Sequence, residues 1–297
     1  MVKVNNISKS FKDVQALDDV TFSAEKGELY GIIGPDGAGK TTLFRIMTTL
    51  TIPDKGTVFI NNKSIIKDYM EIRKTIGYMP GKFALYQDLT VEENLNFFAS
   101  VFNADVNDNY DLIKGIYSHI APFKKRKAGN LSGGMKQKLA LSCALIHKPE
   151  VLFLDEPTTG VDPVSRKEFW DMLAGLKEMG ITIIVSTPYM DEASRCDRIA
   201  LIKNGKFLQV DTPNNIIEKF NSNLIAVKTY NMRHILDDLR KCTNIKSAFA
   251  FGSEIHALID DYSNIENVSL FLNNLKYNDI EIHKIKPNIE DCFIWSR

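Results

Sequence analysis

The stretch GPDGAGKTT, from Gly34 to Thr42, satisfies the pattern G-x-x-x-x-G-K-[ST]. An apolar run, LYGIIG, precedes it and a run with helical character follows, which is the context a phosphate-binding loop requires. Gly34, Gly37 and Gly39 free the backbone, so that Pro35, Asp36 and Ala38 can be drawn around phosphate oxygens. The N-terminus of the next helix adds partial positive charge. Lys40 is expected to reach the β- and γ-phosphates, the Thr41 hydroxyl to ligate Mg²⁺, and Thr42 to complete the cradle. With glycine near 7% of average residues, the four fixed positions arise by accident in roughly one in a hundred chains of this length. The motif therefore predicts nucleotide binding.

A second constellation follows at VLFLDEP. Asp155 ends an apolar strand-like run and is suited to hold Mg²⁺, through water or together with Thr41. Glu156 beside it is placed to polarise an attacking water as general base. A third stretch, ITIIVSTPYMDEAS, begins as a buried parallel strand. Thr187 is expected to cap the following helix, with Pro188 at its first position and Asp191 and Glu192 at the positive end of its dipole. The mouth of such a strand is where a doubly wound sheet keeps reactive groups. A proline side chain there can neither donate nor accept a hydrogen bond.

These residues need a scaffold, and the sequence describes one. Short strand-like runs alternate with turns up to LYGIIG, and helices and strands alternate from there. Helices are expected over GKTTLFRIMTTL, TVEENLNFFASVF, YDLIKGIYSHIAPF, GGMKQKLALSCALIHK and VSRKEFWDMLAGLKEMG. Strands are expected at GTVFINN, IGYM, VLFLD, ITIIVST and within RIALIKNGKFLQVD. Such alternation makes an α/β fold with a parallel sheet covered by helices. After Phe220 the composition shifts, and the remainder reads βαββαβ with a short terminal helix, a small ferredoxin-like sandwich. The expected domains are 1–223 and 224–297.

The chain has 297 residues, 44% apolar and 25% charged, with 37 basic and 37 acidic residues. This is a soluble, two-domain composition, and its zero net charge argues against a nucleic-acid partner. No apolar run approaches the ~20 residues that span a bilayer, and no signal peptide is evident. The four cysteines (Cys143, Cys196, Cys242, Cys292) lack metal or redox spacing and read as reduced, buried, cytoplasmic thiols. The five histidines form no HExxH pair. The basic KKRK reads as a solvated turn.

LSGGM, Leu131 to Met135, opens a helix shortly before VLFLDEP. Phosphate loop, LSGG helix and LDEP in this order resemble the ATPase subunits of ATP-binding cassette (ABC) transporters, over Met1 to about Asn221. The likeness is nearest to the drug-export branch, on GYM…LYQDLTVEENLNFF and GVDPVSRKEFW. The resemblance implies a phosphate-loop NTPase fold with antiparallel β and helical subdomains. It also implies a head-to-tail dimer, as homodimer or heterodimer, that sandwiches two ATP molecules. Each ATP lies on one chain's phosphate loop and under the other's LSGG helix. Ser132, with Gly133 and Gly134 at the helix N-terminus, makes a second anion site that fits this arrangement. By the same resemblance, Phe11 stacks on adenine and Asp162 lies at the dimer interface.

Two positions depart from the family pattern. His is usual where Pro188 stands, and Gln is usual where Gly81 follows GYMP; Gln87 is a possible substitute for the latter. Loss of a preorganised polar group of this kind costs about 10²–10³ in rate. The expected function is an ATP-hydrolysing subunit with a slow site of its own. It would dock peripherally on a separate integral membrane permease at the cytoplasmic face, its loop FALY and helix TVEENLNFF receiving a permease helix; the alternative for Phe83, Leu85 and Tyr86 is that they are local core. The alternative is a non-hydrolytic ATP-binding module that regulates or supports such a complex. A relative acting on DNA or ribosomes would show long insertions or two cassettes, and neither is present. The segment from Leu224 is read as a packing or stabilising module.

Overall fold

The computed structural model describes residues 1–81, 85–106, 109–230, 232–277 and 279–296. Contacts divide the chain into two compact units, Met1–Pro213 and Asn214–Arg297. The division falls before the composition shift, which set it at residue 223.

In the first unit, β1 (Val2–Phe11) and β2 (Val14–Ala24) form a hairpin, and β3 (Leu29–Ile33) leads into the phosphate loop and α1 (Lys40–Met47). Then come β4 (Lys55–Ile60), β5 (Lys63–Ser64), α2 (Tyr69–Thr75), β6 (Ile76–Met79), α3 (Val91–Val101), α4 (Tyr110–Tyr117) and α5 (Gly133–Leu145). The unit closes with β7 (Val151–Asp155), α6 (Pro163–Glu178), β8 (Thr182–Thr187), β9 (Arg198–Lys203) and β10 (Lys206–Asp211). Two sheets result: an antiparallel one in the order β2-β1-β4-β5, and one in the order β10-β9-β3-β8-β7-β6. Only β10 runs antiparallel in the second. Every residue of β3, β7 and β8 is buried, as continuous apolar runs covered on both faces require.

Helix α1 is held in a core shared by both sheets. Its Leu43, Phe44, Ile46 and Met47 join Val4, Leu17 and Val20 of the hairpin with Tyr30, Phe153 and Ile184 of the parallel strands. Phe44 meets Phe153 edge to face, ring centroids 6.3 Å apart. Such a pair adds about 0.5–1.5 kcal/mol beyond the burial of its area. It fixes α1, and with it the phosphate loop, against the strand that ends in Asp155.

The helices start where their caps dictate. Thr90 and Glu93 form a reciprocal capping box on α3, Ser132 caps α5, and Asp162 caps α6 with Pro163 at the first position. The helix expected over YDLIKGIYSHIAPF is shorter, ending at Tyr117, with a separate 3₁₀ turn at Ala121–Phe123. Helix α2 and strand β5 were not foreseen. A larger correction concerns the segment after β8. No helix begins at Pro188; a 3₁₀ stretch runs from Met190 to Arg195. Thr187 is committed elsewhere: its hydroxyl accepts from Tyr189 N at 3.0 Å and donates to the buried Glu192.

The second unit opens in α7 (Pro213–Glu218) and continues as β11 (Asn223–Lys228), α8 (Met232–Leu239), β12 (Ile245–Phe251), β13 (Glu254–Ile259), α9 (Ile265–Asn274), β14 (Glu281–Lys284) and α10 (Ile289–Trp295). Its sheet is antiparallel with the order β12-β13-β11-β14. With its βαββαβ connections this is the ferredoxin-like sandwich. Ile225, Val227, Ile255 and Ala257 pack with Ile235 and Leu239 of α8 and Val268 and Leu272 of α9. Helix α10 is tied to the sheet by Asp291, whose Oδ1 lies 2.7 Å from His256 Nδ1, and by Trp295, which donates to Ser247.

Candidate nucleotide-binding site

The phosphate loop is shaped by close backbone contacts that exclude side chains. A Cβ on Gly34 would stand 2.1 Å from Ile202 O, and one on Gly39 2.4 Å from Ala16 O. Gly39 also has φ of 108°, a conformation that L side chains rarely adopt. The loop is stitched to its surroundings by Gly34 N to Thr187 O at 3.2 Å and by Gly205 N to Ala38 O at 3.0 Å. The turn that joins β9 to β10 therefore supports the loop from one side and the mouth of β8 from the other.

Lys40 lies almost wholly inside this arrangement, 3% exposed. Its ammonium donates to Gly34 O at 2.6 Å and Pro35 O at 2.8 Å, and stands 3.0 Å from Glu156 Oε1. All three of its protons are thus matched by oxygens, as a buried cation requires. Above it opens a cavity of about 370 Å³, lined by Val14, Gln15, Gly37, Lys40, Thr41 and Glu156 among others.

Asp155 is buried at the end of β7. Burial pushes its carboxyl above the usual range, while hydrogen bonds from Ser186 and Thr41 act in the opposite direction. The Ser186 hydroxyl donates to Asp155 Oδ1 at 2.7 Å. Glu156 follows with φ of 51°, a left-handed conformation of order 1–3 kcal/mol in a residue other than glycine. Its N–H is held by Ser186 O at 3.1 Å and Ser186 Oγ at 3.0 Å, and Thr159 Oγ1 donates to its Oε2 at 3.3 Å. Thr41 and Asp155 supply hard oxygen donors. Among the described residues no group of three His, Cys, Asp or Glu side chains converges. A cation here needs phosphate oxygens and water to complete its shell, which is how Mg²⁺ is ordinarily held at nucleotide sites.

The remaining candidate residues do not line the phosphate cavity. Phe11 pairs with Val14 in the hairpin, is 49% exposed, and carries the Lys9 ammonium 5.5 Å from its ring centroid. The LSGG segment contributes nothing to the lining of the phosphate cavity. It packs instead on α6, where a Cβ on Gly134 would meet Ser165 Oγ at 2.7 Å. Ser132 is exposed, and its hydroxyl accepts from Met135 N at 3.3 Å. Gly81 adjoins Asp155, since a Cβ there would lie 3.0 Å from Asp155 O. Pro188 is partly buried just past Thr187. Gln87 is exposed, with its carbonyl accepting from Gly129 N at 2.9 Å, and lines neither the phosphate cavity nor the groove described next.

That groove, about 470 Å³ and mainly apolar, runs from Leu50 and Arg73 past Tyr78, Leu85 and Phe98 to Gly81 and Glu156. Asn94, wholly buried, braces its edge by accepting from Tyr86 N and donating to Tyr86 O, Leu89 O and Thr90 O. Of the docking residues expected from the sequence, Leu85 is buried in the groove wall and Tyr86 is half exposed beside Phe97. Phe83 lies outside the described residues.

Sequence reasoning missed Ser186 and the cluster around Glu192. Arg166 Nε and Thr158 Oγ1 each donate to Glu192 at 3.1 Å, so a buried carboxylate ties the segment after β8 to α6. The available signal was weak: a hydroxyl pair, Ser186 and Thr187, ending an otherwise apolar strand.

Fold and site together define a phosphate-loop ATP-binding cassette. A model of the family described as ABC transporter matches residues 17–159. The probable multidrug ABC transporter ATP-binding protein YbhF of Escherichia coli (strain K12) is 39% identical over 226 residues, 73% of this chain and 38% of that protein. The chain thus spans well under half of that relative's length. The Nod factor export ATP-binding protein I of Burkholderia lata is 35% identical over 258 residues, covering 86% of this chain and 83% of the relative. A solved ATP-binding subunit of an ABC transporter superposes with a TM-score of 0.67 at 27% identity, covering 74% of this chain and 93% of the other. A dimeric ATP-binding cassette in a post-hydrolysis state, bound to ADP and Pi, gives 0.65 at 28%, covering 71% and 98%. The chain belongs to the ABC transporter family, as an ATP-binding domain in the branch whose relatives are named for drug and Nod-factor export.

Proposed function

We propose that the chain binds ATP with Mg²⁺ and hydrolyses it to drive an exporter, working as a peripheral subunit on a separate membrane permease. We further propose that its own site is slow. The observation that carries this reading is the junction of Lys40, Asp155 and Glu156 at the mouths of β7 and β8, with Gly81 beside Asp155 and Pro188 just past the end of β8.

When ATP enters, Lys40 exchanges Glu156 for the β- and γ-phosphate oxygens, and Thr41 and Asp155 hold the cation. Bound Mg²⁺ would neutralise charge on the phosphates. Glu156, released from Lys40, accepts a proton from water as the water oxygen bonds to the γ-phosphorus. The bond from phosphorus to the bridging oxygen breaks, and ADP leaves with that electron pair. Neither Gly81 nor Pro188 has a side-chain donor to orient the water or steady the γ-phosphate, hence the slow turnover.

The LSGG end, with Ser132 exposed and outside the phosphate cavity of its own chain, supports a second cassette that places its ATP there. The apolar groove ending at Glu156 supports a permease helix docked within reach of the chemistry. Fluorescent ATP titration of wild type and Lys40→Ala tests binding, and affinity retained by the variant would overturn the reading. Phosphate release by the permease complex tests hydrolysis. A rate within the ordinary enzyme range of ~1–10³ per second would contradict the slow site, and no release at all would favour the non-hydrolytic module.

A further inference from the structure

Ser186 is wholly buried in β8, following the apolar Ile183, Ile184 and Val185. A hydroxyl at such a position is unfavourable unless it is used. The β7–β8 ladder does not need it, because Asp155 and Ser186 are already backbone partners in that register. The hydroxyl is nevertheless fully engaged. It has one proton, which goes to Asp155 Oδ1 at 2.7 Å, and it accepts the Glu156 N–H at 3.0 Å. The second contact fixes the rotor so that the proton points at the carboxylate. Asp155 is thereby held from β8 by the Ser186 hydroxyl. Its other oxygen, Oδ2, faces the Gly81 side, 3.9 Å from where a Cβ on Gly81 would lie.

We propose that Ser186 is a positioning residue: one buried hydroxyl orients the carboxylate that holds the metal and pins the strained backbone of the general base beside it. The proposal rests on the ATP-binding reading above. Ser186 does not line the phosphate cavity and acts through Asp155 and Glu156. Outer partners of metal ligands typically change metal affinity by about 10–100-fold when removed. The effect here should fall on the cation and spare the phosphate cradle, because the Ser186 hydroxyl bonds Asp155 and Glu156 while Lys40 is held by Gly34 O, Pro35 O and Glu156.

The test compares wild type, Ser186→Ala and Ser186→Thr in three measurements. These are metal-free binding of a fluorescent ATP analogue, Mn²⁺ affinity of the nucleotide-loaded protein by electron paramagnetic resonance, and thermal unfolding. The expected result is metal-free nucleotide affinity within about twofold of wild type for both variants. Mn²⁺ affinity should fall about tenfold or more in Ser186→Ala and recover in Ser186→Thr, which keeps the oxygen. Unchanged Mn²⁺ affinity in Ser186→Ala would overturn the proposal. So would an equal loss in Ser186→Thr, since packing and not the hydroxyl would then be responsible. If wild type itself binds no nucleotide without metal or with it, the ATP-binding reading fails first, and the titration identifies that case.

Discussion

Gly81 adjoins Asp155 and Pro188 follows the end of β8, neither with a side chain that can hydrogen-bond, and the structure sets different constraints on each. A side chain at Gly81 begins 3.0 Å from Asp155 O, so the neighbouring backbone must give by a few tenths of an ångström. Pro188 lies in a segment whose geometry is fixed by Thr187, Glu192 and Arg166, so a histidine there inherits a braced backbone. The joint replacement Gly81→Gln with Pro188→His should raise phosphate release about tenfold or more. It should stop short of the ~10²–10³ that such preorganised groups supply in a site built around them. Phosphate release by the complex measures this, and an unchanged rate would mean that other groups already fill both roles.

At the level of elements, the groove is held together by His147, which follows α5. Its Nε2 donates to Ile76 O at the start of β6 at 2.9 Å, and its ring stacks on Phe102, at the end of α3, with centroids 3.8 Å apart. Burial lowers its pKa below the ordinary 6.5, and the bond to Ile76 O offsets this only in part. As pH falls below about 6.5 the unfolded chain takes up this proton before the folded one does, so stability must decline. His147→Phe should keep the stack, lose the hydrogen bond, and flatten that acid-side decline. Unfolding midpoints at pH 7.5 and 5.5 test it, and equal declines in both proteins would count against it. The same element-level view explains what could be read in advance. The phosphate loop and the Asp155–Glu156 pair follow from neighbours in sequence, so their spacing could be read directly, whereas the caps at Thr90 and Asp162 emerged only from the structure. Ser186 finds Asp155 across 31 residues and Arg166 finds Glu192 across 26. Such partners depend on strand register and helix placement, which local pattern does not specify. Thr187 was misread as a helix cap for the same reason, because its true partner is a buried carboxylate.

At the level of the whole molecule, the proposed pairing with a second cassette assigns unequal tasks to the two ends of this chain. If the partner has the full catalytic set, its site needs this chain's Ser132, while the site at Glu156 is, on the proposed reading, the slow one. Gly134→Asp would test this poorly, because a side chain there collides with Ser165 of the same chain. Ser132→Asp is cleaner. Aspartate remains a good helix cap, yet it sets a negative charge against the partner's γ-phosphate in an interface that screens it little. Export by the reconstituted complex should nearly vanish with Ser132→Asp and largely survive Glu156→Gln. Equal losses would indicate two equivalent sites.

The distribution of thiols has a practical consequence. Cys143 and Cys196 are buried in the first unit, Cys242 and Cys292 in the second, and all four are free. Burial raises the Cys143 and Cys196 thiols well above their ordinary pKa and moves Cys292 up to about 11. Little thiolate is then present at neutral pH, and a maleimide should meet none of them in the native fold. The protein thus carries a built-in pair of reporters in each unit. Mass-resolved pulse labelling along a denaturant series would time the opening of the cassette and of the small sandwich separately, with no engineered residue in either.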